Sequence, residues 1–255
     1  MRADCRPALF RRWAMAKAMS KESLAPASQP FLDWLERWLE NLSPLALRGV
    51  IAEAGGSENV AVYSVDVING FCHSGPLASE RVGRIVEPIE RLFTKSYEAG
   101  VRRFILIQDA HPPDSPEFAA WGPHCIAGTE EAQMVTELAS LPFVSTFRVI
   151  PKRSVNSHIG TDLAKDPLPR AAIVVGDVTD ICAYQLAMGL RAQANAQGAD
   201  CQVIVPENCV QTYDLPVDVA GEGESGPLPH PGDLMHAIFL YHLRLNGVRI
   251  VSEIA

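Results

Sequence analysis

The feature that most constrains the fold of this chain is a series of short apolar segments, most of them followed by a stretch with helical spacing. Continuous apolar strands that alternate with helices are typical of a parallel sheet covered on both faces. The sequence therefore predicts the α/β class, with a doubly wound and mainly parallel sheet between helices. The predicted strands are 59–67, 101–109, 145–152, 171–177, 201–207 and 248–254, and the predicted helices are 31–42, 79–100 with Pro88 as a candidate kink, 130–140, 180–197 and 230–247.

Ligands bind at the carboxyl edge of such a sheet, so reactive residues at strand ends are candidates for chemistry. Asp66 ends an apolar strand that has no structural use for a carboxylate, which favours a functional role. Lys152 ends another strand, although a lysine there is more often a solvated edge residue. Cys182 lies just inside a predicted helix capped by Thr179 or Asp180, where unpaired N–H groups should lower the thiol pKa towards neutrality. An acid, a cation and a thiol that meet at one edge would form a nucleophilic site.

A second group of candidates follows the strand that ends at Asp109. Asp109 and His111 alternate as neighbours on one face do, Glu117 follows, and His124 lies in a proline-bounded loop. Two histidines with one or two carboxylates suit zinc, manganese or iron(II). The alternative is a polar loop whose histidines bond to backbone groups.

These motifs stand in the same order as in a known family. The chain from about Val60 to Val210 resembles the nicotinamidases of the isochorismatase-like cysteine hydrolases in its DVxNxF, DxHP, WxPHCxxGT, strand-end lysine and GxxTDxC motifs. The C-terminal QTYDLPVDV and HPGDLMH segments look like the plant-type branch. The sequence departs from the usual pattern at Ile68 and Gly70, where polar residues are common, and at Ala110.

The resemblance implies a role for each candidate. Asp66, Lys152 and Cys182 would be the catalytic triad. The Asp177–Val178 peptide would be cis, and the N–H groups of Val178 and Cys182 would bind the oxyanion. The resemblance also implies metal binding by Asp109, His111 and His124, joined in some nicotinamidases by a glutamate at the position of Glu117. Phe71 and Trp121 would contact the substrate ring.

The implied reaction is metal-dependent hydrolysis of nicotinamide to nicotinate and ammonia through a thioester. One divalent metal ion is expected, with zinc favoured over manganese or iron. A carbamoyl or ureido amidase of the same family is the first alternative. A non-catalytic binding protein on this fold is the second.

Composition limits the partners. The net charge of −8, from 22 basic and 30 acidic side chains, argues against nucleic acid as the main partner. No run approaches the ~18 consecutive apolar residues of a membrane helix. The six cysteines form no CxxC pair, which is typical of a reducing compartment. We expect a cytoplasmic protein that binds a small aromatic amide, and a homo-oligomer is compatible with these features.

The first 30 residues are basic and poor in acids. Such a leader resembles a transit peptide, which would make the protein organellar. A disordered tail, or a start at Met15 or Met19, is the commoner explanation. We expect residues 1–30 to form a disordered extension and residues 31–255 a single domain.

Three weaker signals are interpreted as structural. The GxGxxG match at 221–226 follows no strand and carries acids that would repel phosphate, so a loop is expected there. His230, His236 and His242 are expected on the surface or in helix packing. Cys125, beside His124, is expected to be a buried thiol.

Overall fold

The computed structural model describes residues 24–220 and 227–255, which form two units divided between Glu40 and Asn41. The first unit contains helix α1 (Leu24–Glu40). The second contains helices α2 (Leu47–Ala54), α3 (Asn69–Cys72), α4 (Glu80–Gly83), α5 (Val86–Glu98), α6 (Phe118–Trp121), α7 (Thr136–Ala139), α8 (Cys182–Gln197), α9 (Val217–Ala220) and α10 (Gly232–Leu245). Its strands are β1 (Val60–Val65), β2 (Arg103–Asp109), β3 (Phe147–Lys152), β4 (Ala171–Asp177), β5 (Gln202–Pro206), β6 (Val210–Gln211) and β7 (Arg249–Val251).

The strands form one parallel sheet in the order β3-β2-β1-β4-β5-β7, with the short β6 pairing with the end of β4. This order confirms the predicted doubly wound sheet. The chain winds outward in both directions from the β1–β4 pair, which makes the carboxyl ends of these two strands the switch point. Ligands of such sheets bind in the crevice outside that point.

Both faces of the sheet are covered. Val60 and Val62 of β1 belong to an apolar cluster with residues of α2 and α5. Ala61 and Tyr63 lie outside that cluster and are equally buried, because β1 and β4 contact α8 as well. Side chains alternate between faces along a strand, so burial of every residue in β1 requires helices on both sides.

A glycine sets the distance between β1 and β4 at the switch point. Gly176 has φ +112°, and a Cβ built there would lie 1.9 Å from the carbonyl oxygen of Val65. No other residue fits without moving one strand. The close approach brings the residues that follow the two strands together.

Two predicted helices differ from the structure. The helix expected over 79–100 is broken into α4 and α5, and Pro88 lies in the first turn of α5, where a missing N–H costs little. The helix expected over 130–140 is only the short α7. Residues 131 and 133 instead accept backbone hydrogen bonds from Gly70 and Asn69, and the N–H of Gln133 closes a turn onto the carbonyl of Glu130, so this segment is not helical.

The N-terminal helix begins at Leu24, whereas the apolar periodicity predicted a start at Phe31. It runs through Pro30, so residues 24–30 of the expected extension are helical. Residues 1–23 and the glycine-rich segment 221–226 lie outside the described residues. Within the part of the chain that is described, no helix has the length and apolar character needed to cross a membrane.

Candidate active site

The three residues predicted to form a nucleophilic site meet at the carboxyl edge of the sheet. The Nζ of Lys152, at the end of β3, lies 2.8 Å from Oδ2 of Asp66 and donates a hydrogen bond to Sγ of Cys182 at 3.6 Å. It also donates to Oδ1 of Asp109 at 2.5 Å. Lys152 and Asp66 are each only 1% exposed. A buried cation therefore links the thiol to two carboxylates.

The backbone fixes the direction of the Asp66 carboxylate. Asp66 adopts a left-handed conformation, φ 58°, directly after β1. Its N–H donates to the carbonyl of Ile107, and its Oδ1 accepts the N–H of Asp109 at 2.9 Å. This conformation is uncommon for a residue other than glycine, and such backbone strain concentrates at functional sites.

Burial and neighbouring charges set the protonation of the two acids. Burial, followed by the Asp109 carboxylate, raises the pKa of Asp66 to about 7, although Lys152 opposes this rise. Burial alone would also raise the pKa of Asp109, but Lys152 and His111 hold it below its usual value. The cluster thus contains one permanent carboxylate and one acid that exchanges its proton near neutrality.

Lys152 remains a cation despite its burial. Loss of hydration lowers its pKa, but Asp66, Cys182 and Asp109 more than reverse this and hold the pKa well above the usual value. A full positive charge therefore stays beside the sulfur.

The expectation of a low thiol pKa at Cys182 is wrong. Burial raises the pKa of this thiol well above its usual value. Lys152 lowers it, but the carboxylates of Asp66 and Asp109 raise it further. Burial, with Cys182 only 7% exposed, outweighs the favourable helix start. Cys182 is therefore a thiol at rest, and its proton must leave as the sulfur attacks.

The predicted helix cap is also wrong. Cys182 is the first residue of α8 and Ile181 occupies the cap position, with no side-chain hydrogen bond. The side chains of Thr179 and Asp180 are directed elsewhere, to His236 and His230. In the first turn of α8 the N–H of Ala183 donates to the carbonyl of Val178, while no backbone acceptor for the N–H of Cys182 is found among the described residues.

The loop between β4 and α8 has the features expected of an oxyanion-binding segment. The Asp177–Val178 peptide is cis, as the family resemblance implied. Among the described residues, the N–H groups of Val178 and Cys182 have no hydrogen-bond acceptor. Both could therefore donate to a negatively charged oxygen.

Beside the thiol lies a group that could hold a metal ion. One donor atom each from Asp109, His111 and His124 lie within 4.8 Å of one another, and all three residues are buried. His124 Nδ1 donates to the carbonyl of Gly122 at 2.8 Å, which leaves its Nε2 with a free lone pair. His111 Nε2 is buried 3.4 Å from Oδ1 of Asp109 and has no other polar partner among the described residues. Two imidazole nitrogens and a carboxylate oxygen of this kind fit a divalent ion.

Glu117, the fourth predicted ligand, is not in that group. It occupies the cap position of α6 and is half-buried. Its charge reaches His111, whose pKa it helps to raise after the larger effect of Asp109. The structure thus places Glu117 near the metal group but brings only three of the four predicted ligands together.

Aromatic rings surround the two histidines. The ring of Phe71, predicted to contact the substrate, lies 5.9 Å from that of His124. Phe118 was missed by the sequence analysis, yet its ring lies 5.6 Å from His111 and 5.5 Å from His124. The sequence signal that could have identified Phe118 is that it is an apolar residue inside a polar loop. Trp121 ends α6 half-buried and shows no ring contact within the described residues.

Comparisons with known proteins bear on this arrangement. The sequence model of the isochorismatase domain matches residues 60–219. Nicotinamidase 1 of Arabidopsis thaliana is 32% identical, over 77% of this chain and 87% of that protein. N-carbamoylsarcosine amidase of Thermoplasma acidophilum is 22% identical with a TM-score of 0.54, over 75% of this chain and 95% of that one. Nicotinamidase of Bacillus subtilis is 22% identical with a TM-score of 0.58, over 76% and 99%. The two structural likenesses show a shared fold.

Proposed function

This chain belongs to the isochorismatase domain family, and from that premise we propose that it hydrolyses nicotinamide to nicotinate and ammonia. The observation that carries the proposal is the buried contact of Lys152 with Asp66 and Cys182, next to the buried group of Asp109, His111 and His124. Asp66 supplies a base, Lys152 a cation and Cys182 a nucleophile. The similarity to a plant nicotinamidase supports the choice of substrate.

In the first half of the reaction, Asp66 accepts the proton of Cys182 while the sulfur attacks the carboxamide carbon. The carbonyl oxygen becomes negative and accepts hydrogen bonds from the N–H groups of Val178 and Cys182. Asp66 then returns the proton to the amide nitrogen. The C–N bond breaks, ammonia leaves, and the acyl group remains on the sulfur as a thioester.

In the second half, Asp66 takes a proton from water, and the resulting hydroxide attacks the thioester carbon. The C–S bond breaks, the sulfur receives the proton from Asp66, and nicotinic acid leaves and ionises to nicotinate in solution. A base with a pKa of about 7 suits both halves, because it can accept and return a proton at neutral pH. Lys152 stabilises the negative charge that passes between carboxylate and sulfur.

Asp109, His111 and His124 would hold the divalent ion, for which we propose zinc, with manganese and iron as alternatives. A bound ion would supply a Lewis acid for the pyridine nitrogen of the substrate. Glu117 would be a further ligand of this ion. Phe71 and Trp121 are proposed to contact the substrate ring.

Ammonia release from a panel of nicotinamide, a ureido compound and a carbamoyl amino acid tests the proposal. We expect turnover of nicotinamide and a loss of at least ~10³-fold in Cys182→Ala, because the covalent route has no substitute. Preference for the ureido or carbamoyl substrate would replace nicotinamidase by a carbamoyl amidase. No turnover of any amide by the metal-loaded protein would favour a binding role.

A further inference from the structure

The loop that joins β4 to α8 is held by side chains from the C-terminal part of the chain. Thr179 and Asp180 are 1% and 7% exposed. Oγ1 of Thr179 lies 2.8 Å from Nδ1 of His236, and Oδ2 of Asp180 lies 2.8 Å from Nε2 of His230. Both histidines were expected on the surface or in helix packing, but they are buried against this loop.

The ring of His230 is fixed on three sides. Its Nδ1 lies 2.9 Å from the carbonyl oxygen of Tyr213, and because a carbonyl only accepts, Nδ1 carries the hydrogen. The Tyr213 ring is stacked on it, with centroids 3.9 Å apart and an interplanar angle of 15°. Only Nε2 remains, and it faces the carboxylate of Asp180. His230 therefore connects Tyr213, in the C-terminal part of the chain, to Asp180 in the loop.

His236 provides a second anchor from α10. Its Nε2 faces Oε1 of Glu207 at 3.4 Å, and its Nδ1 faces the hydroxyl of Thr179. The backbone N–H of Thr179 donates to the carbonyl of Gln211 in β6 at 3.0 Å. Thr179 is therefore held through its side chain and its backbone by two different elements.

We propose that His230 and His236 are positioning residues for the N–H groups of Val178 and Cys182. This inference rests on the proposed function, because it assigns those groups to the oxyanion. Thr179 and Asp180 lie between the two donors, so a shift of their side chains changes the direction of both N–H groups. A displacement of about 1 Å in a reacting centre costs ~10²-fold in rate.

Asparagine and glutamine substitutions should affect kcat in opposite order at the two histidines. Asparagine places its nitrogen or oxygen near the position of Nδ1, and glutamine near that of Nε2. Because His230 reaches the loop through Nε2, His230→Gln should retain kcat and His230→Asn should lower it at least ~10-fold. Because His236 reaches the loop through Nδ1, the order should reverse, with His236→Asn active and His236→Gln impaired.

The measurements are kcat and KM for nicotinamide, together with hydrogen exchange of the segment 178–183 in the substrate-free protein. In the impaired variants we expect a lower kcat with KM within about twofold, faster exchange in this segment, and unchanged alkylation of Cys182 by iodoacetamide. His242→Ala is the matched control, because His242 lies on the same helix but bonds to the hydroxyl of Tyr184 on α8. It should behave as the wild type.

Equal effects of asparagine and glutamine at both positions, or a loss confined to KM, would overturn the positioning role. If the wild-type protein does not hydrolyse nicotinamide, the proposed function fails, and hydrogen exchange decides the inference alone. Unchanged exchange in 178–183 in all four variants would then refute it. Faster exchange in His230→Asn and His236→Gln only would support the clamp on the loop.

Discussion

At the scale of single residues, the environment of a side chain decides its chemistry more than its type does. Asp177 ends β4 and is completely buried, with the thiol of Cys72 3.8 Å from its carboxylate. Burial, and next the charge of Asp66, raise its pKa well above the usual 3.8. The protonated form of Asp177 is therefore favoured beside the reactive loop, whereas the pKa of Asp109 is lowered, and nothing in the sequence distinguishes the two acids.

The raised pKa of Asp177 makes the stability of the protein depend on pH. The folded protein keeps this proton over a range in which the unfolded chain has released it. The resulting stabilisation is complete below the unfolded pKa and is lost as the pH rises towards the folded value. Asp177→Asn keeps the site neutral at every pH. Relative to wild type, its Tm should therefore rise between pH 4 and pH 8 by at least ~2 °C, about 1 kcal/mol.

Thermal melting at several pH values checks this prediction. Asp200→Asn is the control, since Asp200 is exposed and paired with the surface residue Arg170, and its effect should stay within about 0.5 kcal/mol. A pH-independent difference between Asp177→Asn and wild type would contradict the neutral state of Asp177.

Lys152 shows the opposite case, a charge that burial does not remove. Its ammonium lies between the carboxylates of Asp66 and Asp109, so Lys152→Met leaves two buried acids without a cation. Breaking a buried ion pair on one side costs about 3–5 kcal/mol. In the presence of a chelator at pH 8, we expect Tm to fall by roughly 10 °C.

Cys182→Ala is the matched control for Lys152→Met, because it abolishes the same reaction without removing a charge partner of the acids. Its Tm should lie within a few degrees of the wild type. Similar melting temperatures for the two variants would show that Lys152 is not needed to compensate the buried carboxylates.

At the scale of elements, the long apolar strands were predictable and the short segments were not. β4 agrees with its predicted bounds because a continuous apolar run of β-branched residues has few alternatives. The pairing of the 131–133 segment with Asn69 and Gly70 could not be predicted, because it depends on contacts between residues far apart in sequence. The two-residue strand β6 is too short to carry a periodic signal.

Glycine-to-alanine substitution should change the stability of the protein in opposite directions at Gly176, where β4 contacts β1, and at Gly49 in α2. Gly176→Ala would place a Cβ 1.9 Å from the Val65 carbonyl in a left-handed region, so we expect destabilisation of at least ~3 kcal/mol. Gly49→Ala lies in α2 with nothing within 4 Å of the new Cβ, and should stabilise by about 0.5–1 kcal/mol. Urea unfolding of both variants measures the difference. Equal free energies of unfolding would contradict the close approach.

At the scale of the whole molecule, the site depends on the order of strands in the sheet. β3, β2, β1 and β4 are neighbours, so Lys152, Asp109, Asp66 and the loop before Cys182 end at one edge. The sequence could predict this, because the carboxyl ends of parallel strands meet. It could not predict that His230 and His236 approach the same loop, since no periodicity links α10 to the β4–α8 turn. Hydrogen bonds between distant side chains appear only in the folded chain.

The shared edge also brings the thiol and the metal group close together, so under the proposed function the ring nitrogen of nicotinamide is a sensitive probe. If an ion held by Asp109, His111 and His124 binds that nitrogen, benzamide loses the contact but keeps the carboxamide and the ring shape. The loss should exceed that of a hydrogen bond to a charged group, about 1.5–3 kcal/mol, so kcat/KM should favour nicotinamide at least ~10-fold.

His124→Ala separates the ion from the nucleophile, because His124 lies in the loop after β2 and Cys182 begins α8. The variant should lose bound metal on elemental analysis and most of the preference for nicotinamide. Its Cys182 should still react with iodoacetamide, since the contacts of the thiol with Asp66 and Lys152 do not involve His124. Equal kcat/KM for the two amides in the metal-loaded wild type would refute the ring-nitrogen contact. In that case the triad alone would account for the hydrolysis.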